Sequence, residues 1–316
     1  MEDDLAIRAL WLAYIGKYTQ DKIAGFLNIS RQKVQRLIAD GIARDFISVN
    51  IDHEIEELIR IEEQLRAKFG LTYCQIVPRM PGKGSAETYM DSLGLAGSTF
   101  LINLLSGPEK KTIGIGWGRT ISHVAKYFHR RVEKRLNHHR FVPLMGSLNS
   151  QSAMNPMNLI YLFGEKTGAE TYFLPAPFLV DSVEDRSILE KQKSVKRVMD
   201  LATRADHYFI SIGEVGPTSS ILKFGLISKK LQKELRSKGA VADVLGKFID
   251  ENGELIDHRI NQLSITLDIE ILREKETTLI CSGHEKIKAV RTVLKKKLAS
   301  GLITDEETAG DLLKGS

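Results

Sequence analysis

Along this chain the apolar positions first recur at helical spacing and later gather into short unbroken runs. Leu5, Leu10, Leu12 and Ile15, set around Trp11 and Tyr14, predict a helix over residues 4–16 that Gly16 stops. Thr19 is placed to cap a second helix, Gln20 to Leu27. Asn28 tolerates the left-handed conformation that a tight turn demands. Ser30 can cap a third helix, Arg31 to Ala39. Beyond Gly41, the residues Ile42, Ile47, Val49 and Ile51 suggest a short hairpin or wing. Ile55, Leu58, Leu65 and Phe69 return to helical spacing and predict a linker helix over residues 53–69, closed by Gly70. Glu56 with Arg60, and Glu62 with Arg66, would support it as i,i+4 pairs.

From residue 71 the period changes. TYCQIVP, TIGIGW, RFVPLMG, AETYFLP, HYFISIG and TTLICSG are runs of strand length, several ending in Gly or Pro. Candidate helices, such as 119–136 and 186–204, lie between them. Such alternation predicts a mostly parallel sheet covered by helices. The expected organisation is a small helical head over 1–52, a linker helix over 53–70 and an α/β domain over 71–316.

The first two capped helices after Gly16 have the parts a helix-turn-helix needs. Ala24 and Gly25 let the second helix approach closely, and Ile23, Ile29, Val34 and Leu37 can lock the pair together. The opposite side of the second helix offers Arg31, Gln32, Lys33, Gln35 and Arg36 to a major groove, with Thr19, Gln20 and Ser30 beside them. Lysine and arginine suit phosphates; glutamine suits adenine edges and arginine suits guanine. Residues 1–52 hold seven basic and seven acidic residues, yet 17–36 hold five basic residues against Asp21 alone. The positive charge is therefore concentrated on the motif. A plain three-helix packing unit is the alternative.

In the second half the most informative stretch is KKTIGIGWGRTISHVAKYF. An apolar strand runs into Gly116-Trp117-Gly118-Arg119-Thr120 and then an amphipathic helix. Glycines admit an anion to the backbone, and a helix start supplies amides and a favourable dipole. The stretch lacks the Lys-Ser/Thr ending of an ATP-binding loop, so nucleotide hydrolysis is not implied. Two further strand-end loops offer Gly146, Ser147 and Asn149, and Gly213, Gly216, Thr218 and Ser219. In an open α/β sheet, ligands sit beyond the carboxyl ends of the strands.

Composition narrows the class. The chain has 316 residues, 42% of them apolar, enough to bury a sizeable core. It holds no run of eighteen apolar residues and its N-terminus is acidic, so neither a membrane span nor a signal peptide is expected. Cys74 and Cys281 lack metal-ligand spacing, which fits a reducing cytoplasm. A net charge of +5 mildly favours an anionic partner. Residues 126–140 hold six basic residues against Glu133, a stripe read as a solvated helix face. His129, His138 and His139 have no Cys or carboxylate cluster beside them, so no metal site is expected.

These residues resemble the SorC/DeoR-type family of sugar-responsive bacterial regulators over nearly the whole length. The resemblance rests on the helix-turn-helix at 19–39, on Ile113 to Thr120, on Leu174-Pro175-Ala176-Pro177 and on Ser211-Ile212-Gly213. It continues through Gly239 to Asp243, Phe248 to Gly253, Ser282 to Lys286, Ala289-Val290 and Leu302 to Glu306. Ser282 departs from the family's usual first glycine. The resemblance implies an α/β architecture: a winged-helix-like DNA-binding head and a larger Rossmann-like effector domain, similar to sugar-phosphate isomerases and deaminases. It implies operator double-stranded DNA and a small phosphorylated sugar or polyol as partners, with no cofactor and no catalysis; a helix-turn-helix needs two copies to read two half-sites, so a homodimer or homotetramer is expected. The effector's phosphate would lie on Gly116, Gly118, Arg119 and Thr120, near Gly146, Ser147, Asn149 and Gly213. Asp243 and Lys286 match residues that the family places at the ligand. The competing expectation is a sugar-phosphate isomerase or deaminase with an appended DNA-binding head. For that chemistry His123 and His284 are the nearest acid–base candidates, with no obvious carboxylate partner in sequence.

Overall fold

The computed structural model describes residues 2–44, 46–47, 55–78, 86–128, 136–148 and 155–314. The chain divides into two units, Met1–Ile55 and Glu56–Ser316.

In the first unit, α1 (Glu2–Leu10) continues as a π-helical stretch, Trp11–Ile15, before α2 (Gln20–Leu27) and α3 (Arg31–Ala43). The Thr19 hydroxyl accepts the Lys22 N–H, and the Ser30 hydroxyl accepts the Lys33 N–H. Each satisfies a donor that a helix start would otherwise leave open. Asn28 turns the chain at φ 53°. Ala6, Ala9, Ile23, Val34 and Leu37 form the core. The third helix does not stop at Ala39 but runs through Gly41 to Ala43, so Ile42 is helical rather than part of a wing. The reason is packing: a Cβ at Gly41 would lie 2.5 Å from Leu10 Cδ1. Here glycine serves the contact with α1, which overrides its poor helix propensity. Val49 and Ile51 of the expected wing lie outside the described residues.

The second unit opens with α4 (Ile55–Phe69), which Gly70 ends at φ +68°. Glu62 and Arg66 do not serve the helix as expected. Glu62 Oε1 accepts the Ile76 N–H at 2.8 Å, and Arg66 donates to the Cys74 carbonyl at 3.3 Å. Both side chains tie the helix to β1 (Tyr73–Val77). The other strands of the main sheet are β2 (Thr112–Ile115), β3 (Arg140–Pro143), β4 (Glu170–Thr171), β5 (His207–Ile210), β9 (Glu276–Ile280) and β10 (Gly301–Asp305). They lie in the order β1-β10-β9-β5-β2-β3-β4, and every pairing is parallel. From β2 the chain steps outward to β3 and β4. It then returns to β5 on the other side of β2 and steps the opposite way. The order therefore reverses between β2 and β5, which opens a crevice at their carboxyl ends.

Both faces of the sheet are covered, which is why its strands read as unbroken apolar runs. Ile113, Ile115, Phe141 and Phe209 pack with α5 (Ala86–Leu104), α6 (Arg119–Lys126) and α7 (Pro156–Thr167). Tyr208, Ile210, Leu279 and Leu302 pack on the other face with Leu65 of α4 and Val198, Val293 and Leu312.

The helix expected over 186–204 is two, α8 (Val183–Lys191) and α9 (Lys193–Thr203), because Gln192 is extended at ψ 131°. α6 ends at Lys126, and residues 129–135 are outside the described set. The HYFISIG run breaks at Ser211. Ile212–Glu214 forms β6, which joins β7 (Ala242–Val244) and β8 (Lys247–Ile249) in a separate antiparallel sheet. The β7–β8 turn uses Leu245 at φ 52° and Gly246 at φ 79°, both left-handed as a two-residue hairpin requires. Two further helices bear on the site: α10 (Ile287–Lys295) and α11 (Glu306–Lys314).

Candidate functional site

A cavity of about 590 Å³ lies at the crevice, lined from the ends of β2, β5, β9 and β10 together with β6, β7 and α5. Its floor is the turn after β2. Gly118 holds φ 116° and ψ 172°, a conformation open to glycine but strained for other residues. α6 starts directly after it, and its first intrahelical donor is Ser122, bonded to the Gly118 carbonyl at 3.1 Å. The N–H groups of Arg119, Thr120 and Ile121 therefore have no acceptor within the helix. Thr120 is buried against the cavity, and the Arg119 side chain stands exposed at its edge.

Opposite this turn stands Lys286, at the start of α10. Among the described residues neither its Nζ nor the Arg119 guanidinium has a hydrogen-bond or ion-pair partner. Burial pushes the Lys286 ammonium below its ordinary range. Asp243, on β7, is 3% exposed and directly paired in register with Gly213 of β6. A Cβ at Gly213 would lie 3.2 Å from Asp243 Oδ2, so the glycine makes room for the carboxyl group. The Gly246 N–H donates to Asp243 Oδ1 at 2.7 Å. Burial nevertheless raises the Asp243 pKa to about 7, against that bond and the nearby Lys286 charge.

The loop after β9 completes the wall. Gly283 at φ 118° donates its N–H to Thr308 Oγ1 at 3.0 Å, and Thr308 Oγ1 donates to Asp305 Oδ2 at 2.6 Å. Asp305 also accepts the Thr308 N–H at 2.9 Å, which caps α11. Asp305, Glu285 and Glu307 give the cavity an acidic rim beside its two cations. Such a mixture suits an anionic group at one end and hydroxyl groups elsewhere, because carboxylates accept from hydroxyls while cations and free amides take a phosphoryl group.

Of the residues expected at an effector site, Gly118, Arg119, Thr120, Gly213, Asp243 and Lys286 line this one cavity. Gly116 does not. Its N–H donates to the Phe209 carbonyl at 2.9 Å, and a Cβ would meet Ile210 Cα at 3.2 Å, so it serves the approach of β2 to β5. Gly146 and Ser147 do not line it either; their amides donate to Ile265 and Ala176 carbonyls. Asn149 lies outside the described residues. Trp117, Ser211 and Ser282, which lie inside the motif stretches but were not expected at the ligand, also line the cavity, as do Ser220 and, from α5, Tyr89 and Met90, to which no motif points. Ser211 directly follows β5 and Ser282 lies two residues beyond β9, positions that only the observed strand ends reveal. Nothing local marks the α5 pair, which reaches the site only through helix packing. The two histidines do find carboxylates: His123 Nδ1 lies 2.9 Å from Asp91, and His284 Nδ1 lies 2.9 Å from Asp311. His123 lines the cavity, whereas His284 does not.

On the first unit, Arg31, Gln32, Lys33, Gln35 and Arg36 are exposed on α3, opposite the buried Val34 and Leu37. Arg31 lies 3.6 Å from Asp21 in an exposed pair. Thr19 and Ser30 cap the two helices, and Gln20 opens α2.

Residues 53–314 match a sugar-binding domain family. The chain is 34% identical to the erythritol catabolism regulatory protein EryD of Brucella abortus, over 99% of this chain and 97% of that protein. It is 26% identical to the deoxyribonucleoside regulator of Bacillus subtilis, over 99% and 98% respectively. Its fold is shared with the full-length sorbitol operon regulator SorC of Klebsiella pneumoniae, with a TM-score of 0.80 at 23% identity, covering 99% of both chains.

Proposed function

This chain belongs to the SorC/DeoR-type family of sugar-binding transcriptional regulators, and from that premise we propose that it holds operator DNA as a homo-oligomer and is switched by a phosphorylated sugar or polyol. The three-helix unit is the helix-turn-helix head, with Arg31, Gln32, Lys33, Gln35 and Arg36 facing the groove and Thr19, Gln20 and Ser30 beside the phosphates. A head of this kind reads two half-sites, which calls for two copies. The Rossmann-like unit is the effector domain. The phosphoryl group sits on the first turn of α6, between Arg119 and Lys286, and the carbon chain extends toward Asp243 and the acidic rim.

One observation carries this reading: two cations without partners among the described residues, and a helix start with open amides, converge on one cavity. Its volume suits a single small ligand. The relative named for erythritol catabolism makes four-carbon polyol phosphates the first compounds to screen. The effector shifts an equilibrium between states that hold operator well and poorly.

The test separates the two units. In Lys286→Met the melting shift produced by the effector is lost and affinity falls at least tenfold, while operator binding by gel shift is unchanged. In Arg36→Ala operator binding is lost and the effector's melting shift is kept. Effector binding undiminished by Lys286→Met would remove the pocket from the account. Undiminished operator binding by Arg36→Ala would remove this face of α3.

A further inference from the structure

The phosphate reading leaves one wall of the cavity without a task. At Gly94, α5 and α6 approach so closely that a Cβ would lie 2.7 Å from the His123 carbonyl oxygen and 2.9 Å from His123 Cβ. That approach sets Asp91, one turn earlier on α5, against His123 on α6, with Nδ1 2.9 Å from Asp91 Oδ1. Lys126 Nζ donates to the same oxygen at 3.0 Å. The Lys126 and His123 hydrogen bonds hold the Asp91 carboxyl below the usual range. Asp91 is thus an ionised acceptor, and Nδ1 of His123 carries the proton that it accepts. The other ring nitrogen, Nε2, has no protein partner among the described residues. His123 lines the cavity, with a side chain only 20% exposed.

We infer that His123 is an effector-reading residue whose Nε2 accepts a hydrogen bond from a hydroxyl on the ligand's carbon chain, with Asp91 as the positioning residue that fixes the ring's tautomer. The inference rests on the effector reading above and adds to it a group that selects for alcohols. Position argues for a hydroxyl rather than the phosphoryl group. His123 shares a helix face with Thr120, three residues earlier. It stands roughly 6 Å along the axis beyond Arg119, at a rise of about 1.5 Å per residue. A carbon chain that runs along α6 from oxygens held by the first-turn amides passes this residue. An acceptor in that place favours a hydroxyl and disfavours a carbonyl, a carboxylate or a bare methylene, each of which leaves the ring nitrogen unsatisfied.

The test uses the full chain with inorganic phosphate, glycerol 3-phosphate, erythritol 4-phosphate and ribose 5-phosphate, read by calorimetry and melting shift. The wild type binds at least one organic phosphate more tightly than inorganic phosphate. In His123→Phe, which keeps the ring's volume, that compound binds about tenfold more weakly while inorganic phosphate is unaffected. Asp91→Leu, which frees the tautomer, shows the same selective loss; Asp91→Asn keeps an acceptor for Nδ1 and retains most of the affinity. If both variants weaken organic and inorganic phosphate equally, the pair only packs α5 on α6 and the inference falls. If neither weakens anything, it falls as well. A wild type that binds none of the four compounds overturns the effector reading itself, an outcome distinct from the other two.

Discussion

The turn after β2 and the turn after β3 leave neighbouring strands of one parallel sheet, both carry glycine, and only the first lines the cavity. After β3, Gly146 donates to the Ile265 carbonyl at 2.9 Å, and Ser147 donates to the Ala176 carbonyl at 2.9 Å. A Cβ at Gly146 would lie 2.3 Å from the Pro177 oxygen. Its glycine exists to let two backbones touch, and its amides are already committed to carbonyls. After β2 the space is open: a Cβ at Gly118 would meet nothing nearer than Ser211 Oγ, at 3.8 Å. What Gly118 supplies is φ 116°, the bend that aims the start of α6 into the crevice. A glycine at a strand end can thus offer a place for an anion only when its φ is positive and the amides after it remain uncommitted.

Alanine at each position can break that comparison. Gly146→Ala forces a Cβ into backbone and destabilises the chain by about 3 kcal/mol, the upper part of the usual range for overpacking. At this chain length that corresponds to a fall in Tm of several degrees. Effector affinity of the folded fraction stays at the wild-type value. Gly118→Ala meets no clash but puts alanine in a backbone region all but reserved for glycine, at about 1–3 kcal/mol, and it lowers effector affinity at least tenfold because the α6 amides turn away. Calorimetry of unfolding and of binding on the same two proteins reads both effects. If Gly146→Ala were the variant that lost the effector, the assignment of the two turns would be reversed.

The same contrast explains what was legible in the sequence. The head depends on local rules, so Thr19, Asn28 and Ser30 could be read as cap, turn and cap directly. Gly41 misled because its reason, the Leu10 side chain pressed against it, lies thirty-one residues away. In the larger unit the strand runs were visible because both faces are buried. Even so, HYFISIG looked like one strand, because nothing in its composition marks Ser211 as the point where the chain leaves one sheet for another. Glu62 and Arg66 had the spacing of a helix pair, yet the backbone of β1 outcompetes that pairing for both side chains. Gly118, Arg119 and Thr120 could be read from the strand-to-helix turn, whereas Asp243 and Lys286 rested on resemblance alone. Asp91 gave no signal, since only the close packing at Gly94 brings it to His123.

The two ends of the sheet extend the comparison from turns to charge. At the amino end of β5, His207 is buried and its Nε2 lies 2.9 Å from Thr278 Oγ1. Burial lowers its pKa to about 4, against a nearby Glu276 charge. Between that value and the ordinary histidine range near 6.5, the unfolded chain binds more protons than the folded one, so stability falls as pH falls. From pH 7 to pH 5.5 this single group accounts for a loss of about 1 kcal/mol. Denaturant titrations at the two pH values measure the loss, and His207→Asn removes this part of it. A slope unchanged by the substitution would mean that the ring is not held neutral.

At the cavity beyond the carboxyl ends, where β7 of the smaller sheet contributes Asp243, the sign is opposite, because Asp243 is a buried acid with its pKa raised to about 7. Between an unfolded value near 3.9 and about 7, the folded chain binds the extra proton, so this group's contribution to stability declines as pH rises. Asp243→Asn keeps an oxygen for the Gly246 N–H and removes the cost of burying charge. At pH 8 it therefore raises stability, on the order of 1 kcal/mol, while weakening the effector by removing an ionisable acceptor. At pH 5, where the native Asp243 is already protonated, the gain in stability disappears. Melting curves of both proteins at pH 5 and pH 8 decide the matter. A variant less stable than wild type at pH 8 would show that Asp243 serves the fold, and the proposed contrast between a residue that stabilises and one kept for a ligand would fail there.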